Sequence, residues 1–141
     1  MHSIILNIFK SKHSATHKIP PILQFPFRLV MLSGMTNFKA AFNSLCAYAS
    51  VNHLHWHLYY MSSGFPLPVE TCPATLIGGD LEVYEIENYS AKGFAFQIRR
   101  IEDIQKVSSI VFAIANLLCD LNIAHNLFIT RGTAFNSKSE G

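Results

Sequence analysis

Residues 53–61 (HLHWHLYYM) alternate strictly between two kinds of side chain. Histidine or tyrosine stands at every second position from His53 to Tyr59, and apolar or aromatic residues stand between them: Leu54, Trp56, Leu58 and Tyr60. Because successive side chains of a strand point to opposite faces, this pattern predicts a β-strand with three histidines on one face. The other face is apolar, so we expect it to be buried. Such a segment requires a sheet with one covered face.

The other periodicities predict a strand-rich fold with one strong helix. Apolar residues recur at steps of three and four from Ile104 to Leu121, which predicts a helix over 102–121. A short helix is predicted from Pro26 and ends at Gly34. Further strands are predicted at Phe38–Leu45, Leu81–Ile86, Gly93–Arg99 and Ala124–Thr130. The predicted class is α+β, with a mainly antiparallel sheet and one or two helices.

The length of 141 residues predicts a single domain. Residues 1–20 show no sustained period and end in two prolines, so they are interpreted as an irregular tail. Residues 134–141 are small and polar, which is typical of a disordered tail. The domain itself is then expected to span residues 21–133.

The charges are unevenly distributed along the chain. Residues 1–69 contain five Lys or Arg and no acid, whereas residues 70–141 contain all nine acids and six bases. A cationic half beside the histidines favours a phosphorylated ligand, although a chance distribution is an equally good account. The chain has no lysine run of the kind that binds nucleic acid.

Compartment and membrane contact are also constrained by composition. The longest apolar stretch, Ile110–Cys119, is too short to span a membrane, which takes about 20 residues. The three cysteines form no CxxC motif, so a reduced, cytoplasmic location is expected. We therefore expect neither a nucleic acid nor a membrane as a partner.

Three histidines on one strand face have three possible uses. Two of them could bind zinc, but a third at i+4 on a straight strand lies too far along to share one tetrahedral ion. They could also form an inert polar face. The interpretation favoured here is nucleophilic catalysis at phosphorus, in which a neutral imidazole attacks without a separate base and forms a covalent phosphoramidate. This chemistry requires neither a metal nor a cofactor.

The segment 53–59 matches the H-φ-H-φ-H-φ-φ signature of the histidine-triad superfamily, where φ is an apolar residue. The wider stretch Phe42–Tyr60 (FNSLCAYASVNHLHWHLYY) resembles the GDP-D-glucose phosphorylase family, which is related to the plant GDP-L-galactose phosphorylases. Further similarity lies in Leu67–Glu70 (LPVE) and in Ala124–Gly132 (AHNLFITRG). The resemblance covers roughly residues 21–133 and implies a histidine-triad-like fold.

The resemblance implies a role for five residues. The middle histidine, His55, would attack the α-phosphorus of GDP-D-glucose, release glucose 1-phosphate and carry a guanylyl group, which inorganic phosphate would then take to give GDP. The other four would bind substrate or phosphate: His53, His57, Ser50 and Asn43. Ser50 and Asn43 also have structural interpretations, as a residue that satisfies a loop amide and as a turn residue. His125 and Arg131 are assigned no role.

The family's members are more than twice as long as this chain, so the sequence is interpreted as a truncated member with an incomplete sheet. Missing strands would leave apolar surface and unpaired edges, from which self-association is expected. Two alternatives to the phosphorylase stay open at this point. One is a nucleotide hydrolase of the histidine-triad type, in which water replaces phosphate, and the other is a catalytically inactive fragment.

Overall fold

The structure of the chain is a computed structural model. The structure describes residues 2–9, 24–45, 47, 49, 53, 55–62, 66–78, 81–132 and 135. It contains these strands and helices in chain order: β1 (His2–Phe9), α1 (Gln24–Leu32), β2 (Phe38–Asn43), β3 (His57–Tyr60), α2 (Pro68–Thr71), β4 (Ala74–Gly78), β5 (Val83–Ile86), β6 (Lys92–Ile98), α3 (Asp103–Asp120) and β7 (Ala124–Arg131).

The strands form one seven-stranded sheet in the order β3-β2-β7-β1-β6-β5-β4. Every strand pair in it is antiparallel. The prediction of an α+β fold with a mainly antiparallel sheet is therefore confirmed. β3 and β4 form the two edges of the sheet.

One face of the sheet is covered by α1 and α3. The buried stripe of α3 includes Ile104, Val107, Val111 and Leu118, as its three- and four-residue steps predicted. This stripe packs with α1 against every second residue of the strands, and those residues form the main core: Phe38, Ala40, Phe42, Phe96, Ile98, Leu127 and Ile129. Helix α1 ends as predicted, because Gly34 adopts a positive φ of 66° just beyond its last residue.

The opposite face of the sheet carries a smaller core and most of the polar strand residues. Val69 of α2 packs there with Tyr84, Ile86 and Ala95. Residues that pair across an antiparallel sheet share a face, so Lys39, Ala41 and Asn43 of β2 also belong to this face. His57, the first residue of β3, lies on this face as well, because it pairs with Ala41.

The structure corrects three predictions. Residues 2–9 are not part of an irregular tail, because they form β1 between β6 and β7. The histidine strand is shorter than predicted, since β3 begins only at His57. Its expected apolar face is buried only in part, because Trp56 packs against the core whereas Leu58 and Tyr60 are exposed at the sheet edge. The strand β4 was not predicted, because four of its five residues are exposed and it lacks a buried alternating face. The division at residues 20 and 133 stays a prediction.

Among the described helices, none has the length and apolar character needed to cross a membrane.

Candidate active site

The histidines lie where β3 meets the loop that precedes it. His57 is the first residue of β3 and pairs with Ala41 of β2, whereas His55 lies two residues before the strand. The intervening Trp56 turns towards the main core, where its ring lies 5.5 Å from that of Phe42. This packing fixes the backbone between the two histidines and directs their rings to the opposite side.

Both ring nitrogens of His55 have a partner. Nδ1 lies 3.0 Å from the backbone oxygen of His53, and Nε2 lies 3.0 Å from Nε2 of His57. A carbonyl oxygen can only accept a hydrogen bond, so the bonding pattern assigns the proton of the neutral His55 ring to Nδ1. The lone pair is then at Nε2, and the His57 ring must supply the proton for the second contact.

The other rings hold this pair in a partly exposed row. The ring centroids of His55 and His57 are 4.7 Å apart at 74°, an edge-to-face arrangement. His57 in turn stacks on Tyr59, with centroids 5.9 Å apart and an interplanar angle of 6°. His55 and His57 are half-buried, whereas His53 is exposed. The nitrogen that bears the lone pair therefore lies in a partly buried contact with His57, within a row of rings that is partly open to solvent.

Asn43 lies one step along the same face of β2. His57 pairs with Ala41, and Asn43 follows Ala41 by two residues, about 7 Å along the strand. In the other direction Asn43 pairs with Asn126 of β7. Asn43 is therefore close enough in the sheet to contribute to a ligand site centred on His55.

The loop after β2 is attached to the start of β7. The Ser44 backbone nitrogen donates to the His125 oxygen at 3.0 Å, and the His125 backbone nitrogen donates to Ser44 Oγ at 2.8 Å. The bonding pattern orients the Asn126 carboxamide so that its nitrogen faces three oxygens: His125 O at 2.9 Å, Ala47 O at 3.2 Å and Asn43 Oδ1 at 3.2 Å. β7 thus holds the chain as it leaves β2 for the histidines.

The predicted site residues have different outcomes. The structure brings His53, His55 and His57 together and places Asn43 on the adjoining part of the sheet, while Ser50 lies outside the described residues. The roles assigned to these residues stay predictions. Asn126 was missed, although the AHNLF segment that contains it carried the family resemblance. The only sequence signal for Asn126 was its place in that segment, near the start of the predicted strand Ala124–Thr130.

His125 and Arg131 of β7, to which no role was assigned, also lie among the described residues. His125 is fully buried, and its Nδ1 lies 3.1 Å from the Ile123 oxygen. Desolvation by burial is the main cause that lowers the pKa of His125 below its ordinary value of 6.5. Arg131 is half-buried at the far end of the strand. His125 therefore belongs to the core as a neutral ring.

Within the described part of the chain, no three His, Cys, Asp or Glu residues come together in a group that could hold a metal ion.

Comparisons with known proteins identify two adjoining family regions. Residues 5–59 match the family model described as GDPGP1-like, N-terminal domain, and residues 67–136 match the one described as GDPGP1-like, C-terminal domain. The first match includes residues of β1, so the interpretation that the first 20 residues fall outside the similarity is wrong. No solved structure matches the chain.

Several curated proteins are similar to the chain. GDP-D-glucose phosphorylase 1 of Danio rerio is 39% identical over 110 residues, which cover 78% of the chain and 31% of the relative. The Homo sapiens protein of the same name is 38% identical over 81% of the chain and 29% of the relative. GDP-L-galactose phosphorylase 1 of Arabidopsis thaliana is 30% identical over 66% of the chain and 21% of the relative. The chain thus spans less than a third of the length of these relatives.

Proposed function

Because this chain belongs to the GDPGP1-like family, we propose that it carries the nucleotidyl-transfer centre of a GDP-hexose phosphorylase that acts on GDP-D-glucose. The relatives named GDP-D-glucose phosphorylase support this substrate. The proposed partners are GDP-D-glucose and inorganic phosphate, and no cofactor takes part. The proposed location is the cytoplasm, which agrees with the reduced thiol of Cys72.

The observation that carries the proposal is the position of the His55 ring. Its Nδ1–H donates to the His53 backbone oxygen, so the lone pair is held at Nε2 in one tautomer. A neutral imidazole in this tautomer can attack phosphorus without losing a proton. The backbone carbonyl also stabilises the positive charge that the ring gains when Nε2 forms a bond.

The proposed reaction has two displacements at the α-phosphorus. In the first, His55 Nε2 forms a bond to the α-phosphorus, and the bond from that phosphorus to the oxygen bridging to the β-phosphate breaks. Glucose 1-phosphate leaves with the electron pair of that bond, and a guanylyl group stays on His55. In the second displacement, an oxygen of inorganic phosphate attacks the same phosphorus and the bond to Nε2 breaks, which yields GDP and restores the imidazole.

His57 has a role that depends on its contact with His55. In the resting arrangement its Nε2–H points at the lone pair of His55 from 3.0 Å. When His55 uses that lone pair to attack, the hydrogen bond must break, and the His57 N–H then lies beside the reacting phosphorus. It can donate there to an oxygen of the α-phosphate or to the leaving oxygen, where charge increases.

Incubation of the chain with GDP-D-glucose, with and without phosphate, tests the proposal. We expect GDP and glucose 1-phosphate only when phosphate is present, because phosphate is the second nucleophile. Production of GMP without phosphate would instead show that water is the acceptor and that the chain is a hydrolase. Absence of any product with either acceptor would show a catalytically inactive fragment.

A further inference from the structure

Asn43 and Asn126 are the two polar residues that pair across β2 and β7 beside the histidines. Their backbones are partners in the sheet register, and their carboxamides are in contact through Asn126 Nδ2 and Asn43 Oδ1 at 3.2 Å. Both residues are half-buried. The contact thus occupies the one acceptor atom of the Asn43 side chain with a donor from the protein.

The pair lies on the two strands that follow the histidine strand β3 in the sheet. β3 pairs with β2 only as far as His57 opposite Ala41. Two further residues in the same antiparallel direction lead to residue 55 on one chain segment and to Asn43 on the other, so Asn43 is the residue of β2 on the His55 side of this pairing. Asn126 lies on β7, on the far side of β2 from the histidines, so Asn43 is nearer than Asn126 to the proposed nucleophile.

We propose that Asn126 is a positioning residue for guanylyl transfer, which fixes the Asn43 carboxamide so that its N–H groups, and not its oxygen, face the phosphate of the nucleotide. This inference rests on the proposed function. Asn43 Nδ2 has no hydrogen-bond acceptor among the described residues, and in this proposal its two hydrogens bind the phosphate. A phosphate oxygen is an acceptor only, and a reversed carboxamide would present an oxygen that repels it.

The surroundings of Asn126 make it a suitable anchor. The His125 and Ala47 backbone oxygens, at 2.9 and 3.2 Å, leave a single orientation in which the Asn126 nitrogen is satisfied. The two hydrogen bonds between Ser44 and His125 hold the backbones of both strands at this point. Asn126 therefore cannot reverse to match a reversed Asn43, because the backbone oxygens would then face its own oxygen.

The isosteric variant Asn126→Asp tests the inference. A carboxylate at this position only accepts hydrogen bonds, so it should reverse the Asn43 carboxamide and direct its oxygen to the substrate. The new carboxylate oxygen also faces the His125 and Ala47 backbone oxygens, so the thermal midpoint is measured beside the rate. We expect the rate of His55 guanylylation in a single turnover with GDP-D-glucose to fall about ten- to hundredfold, since a hydrogen bond to a charged group is lost. Asn88→Asp, in an exposed turn, is the matched control for the added charge and should leave the rate unchanged.

A double-mutant cycle separates positioning from direct repulsion. If Asn126 acts through Asn43, Asn126→Asp should have no further effect on guanylylation in an Asn43→Ala background. If the new charge repels the nucleotide directly, the full loss will persist in that background and the inference is wrong. The inference is equally wrong if Asn126→Asp lowers the thermal midpoint enough to explain the lost activity and its effect on the rate is simply additive with that of Asn43→Ala.

A readout that does not depend on activity keeps the two proposals apart. In Asn126→Asp, the side-chain amide resonance of Asn43 should shift, because its N–H now donates to a carboxylate; its assignment follows from its disappearance in Asn43→Ala. An unchanged resonance would show that the pair does not form, whatever the activity. Absence of guanylylation in the unmodified chain would count against the proposed function instead.

Discussion

Lys39 of β2 forms a buried ion pair with Glu70 of α2, and their side chains are only 6% and 5% exposed. Thr130 of β7 completes the group, because its hydroxyl accepts from Lys39 Nζ at 2.6 Å and donates to the same Glu70 oxygen. The second Glu70 oxygen accepts from the Leu67 backbone nitrogen at 2.6 Å. The ion pair therefore joins the two regions matched by separate family models, on the sheet face that carries His57 and Asn43.

Lys39→Met should destabilise the chain strongly, because it leaves a carboxylate buried without its cation. We expect a loss of about 3–5 kcal/mol in the free energy of unfolding, measured by urea denaturation. The double variant Lys39→Met/Glu70→Gln should lose less than Lys39→Met alone, since no uncompensated charge is then buried. Lys92→Met is the control, because Lys92 and Glu85 form an exposed pair at 3.9 Å. Equal effects of Lys39→Met and Lys92→Met would contradict the buried ion pair.

His125 should make the stability depend on pH. Burial lowers the pKa of its ring below 6.5, so as the pH falls the unfolded chain takes up the proton before the folded chain does. The contribution of His125 to stability is thus complete above about pH 7 and decreases as the pH falls through its folded pKa. We expect His125→Gln to flatten the decline of the urea midpoint as the pH falls below about pH 7. A wild-type slope in His125→Gln would contradict this assignment.

The two edges of the sheet should promote self-association. β4 exposes Leu76 and Ile77 by 51% and 49%, and β3 exposes Tyr60 by 66%, so apolar side chains accompany unpaired backbone groups. We expect Leu76→Lys to lower the apparent mass in size-exclusion chromatography at high concentration. Leu117→Lys, at an equally exposed site on α3, is the control and should not change it. A monomeric wild-type chain at all concentrations would contradict the prediction.

Removal of metal ions should not affect the proposed chemistry. The nucleophile is a neutral imidazole, and N–H donors of the protein can stabilise the charge on phosphate. We therefore expect guanylyl transfer to persist at an unchanged rate after prolonged dialysis against a chelator. Loss of activity that zinc restores would favour a metal role for the histidines.

The sequence was most informative where a periodic pattern is matched by burial. The α3 stripe from Ile104 to Leu118 is buried as predicted, and β6 and β7 lie within a residue or so of their predicted bounds. It failed at β1, because residues 2–9 (HSIILNIF) show no sustained alternation although they form a central strand of the sheet. It also failed for Leu58 and Tyr60, since the apolar side of an alternating segment does not show whether the strand will be at an edge.

The site was predictable only to the extent that it is local in sequence. The i, i+2, i+4 spacing placed His53, His55 and His57 together. The contact of Asn43 with Asn126 depends on the pairing of β2 with β7, which no local pattern specifies. The ion pair of Lys39 with Glu70 depends on the packing of α2 against β2, which is a long-range contact as well. Contacts between residues this far apart in the sequence could be identified only from the three-dimensional structure.

The three histidines should differ in their effect on guanylyl transfer. His55→Ala removes the nucleophile and should abolish the reaction while the urea midpoint stays close to that of the wild type. His53→Ala and His57→Ala should cost less, because the His53 contact to His55 comes from the backbone and water can partly replace the His57 N–H. Equal losses in all three variants would contradict this order.

The most direct test of the central claim is to locate the guanylyl group. The chain is incubated with GDP-D-glucose in the absence of phosphate, digested at neutral or alkaline pH, and its peptides are sequenced by tandem mass spectrometry. We expect one guanylyl group on His55 that disappears when phosphate is added and is absent from His55→Ala. A guanylyl group on another residue, or guanylylation and turnover by His55→Ala within about tenfold of wild type, would contradict the account.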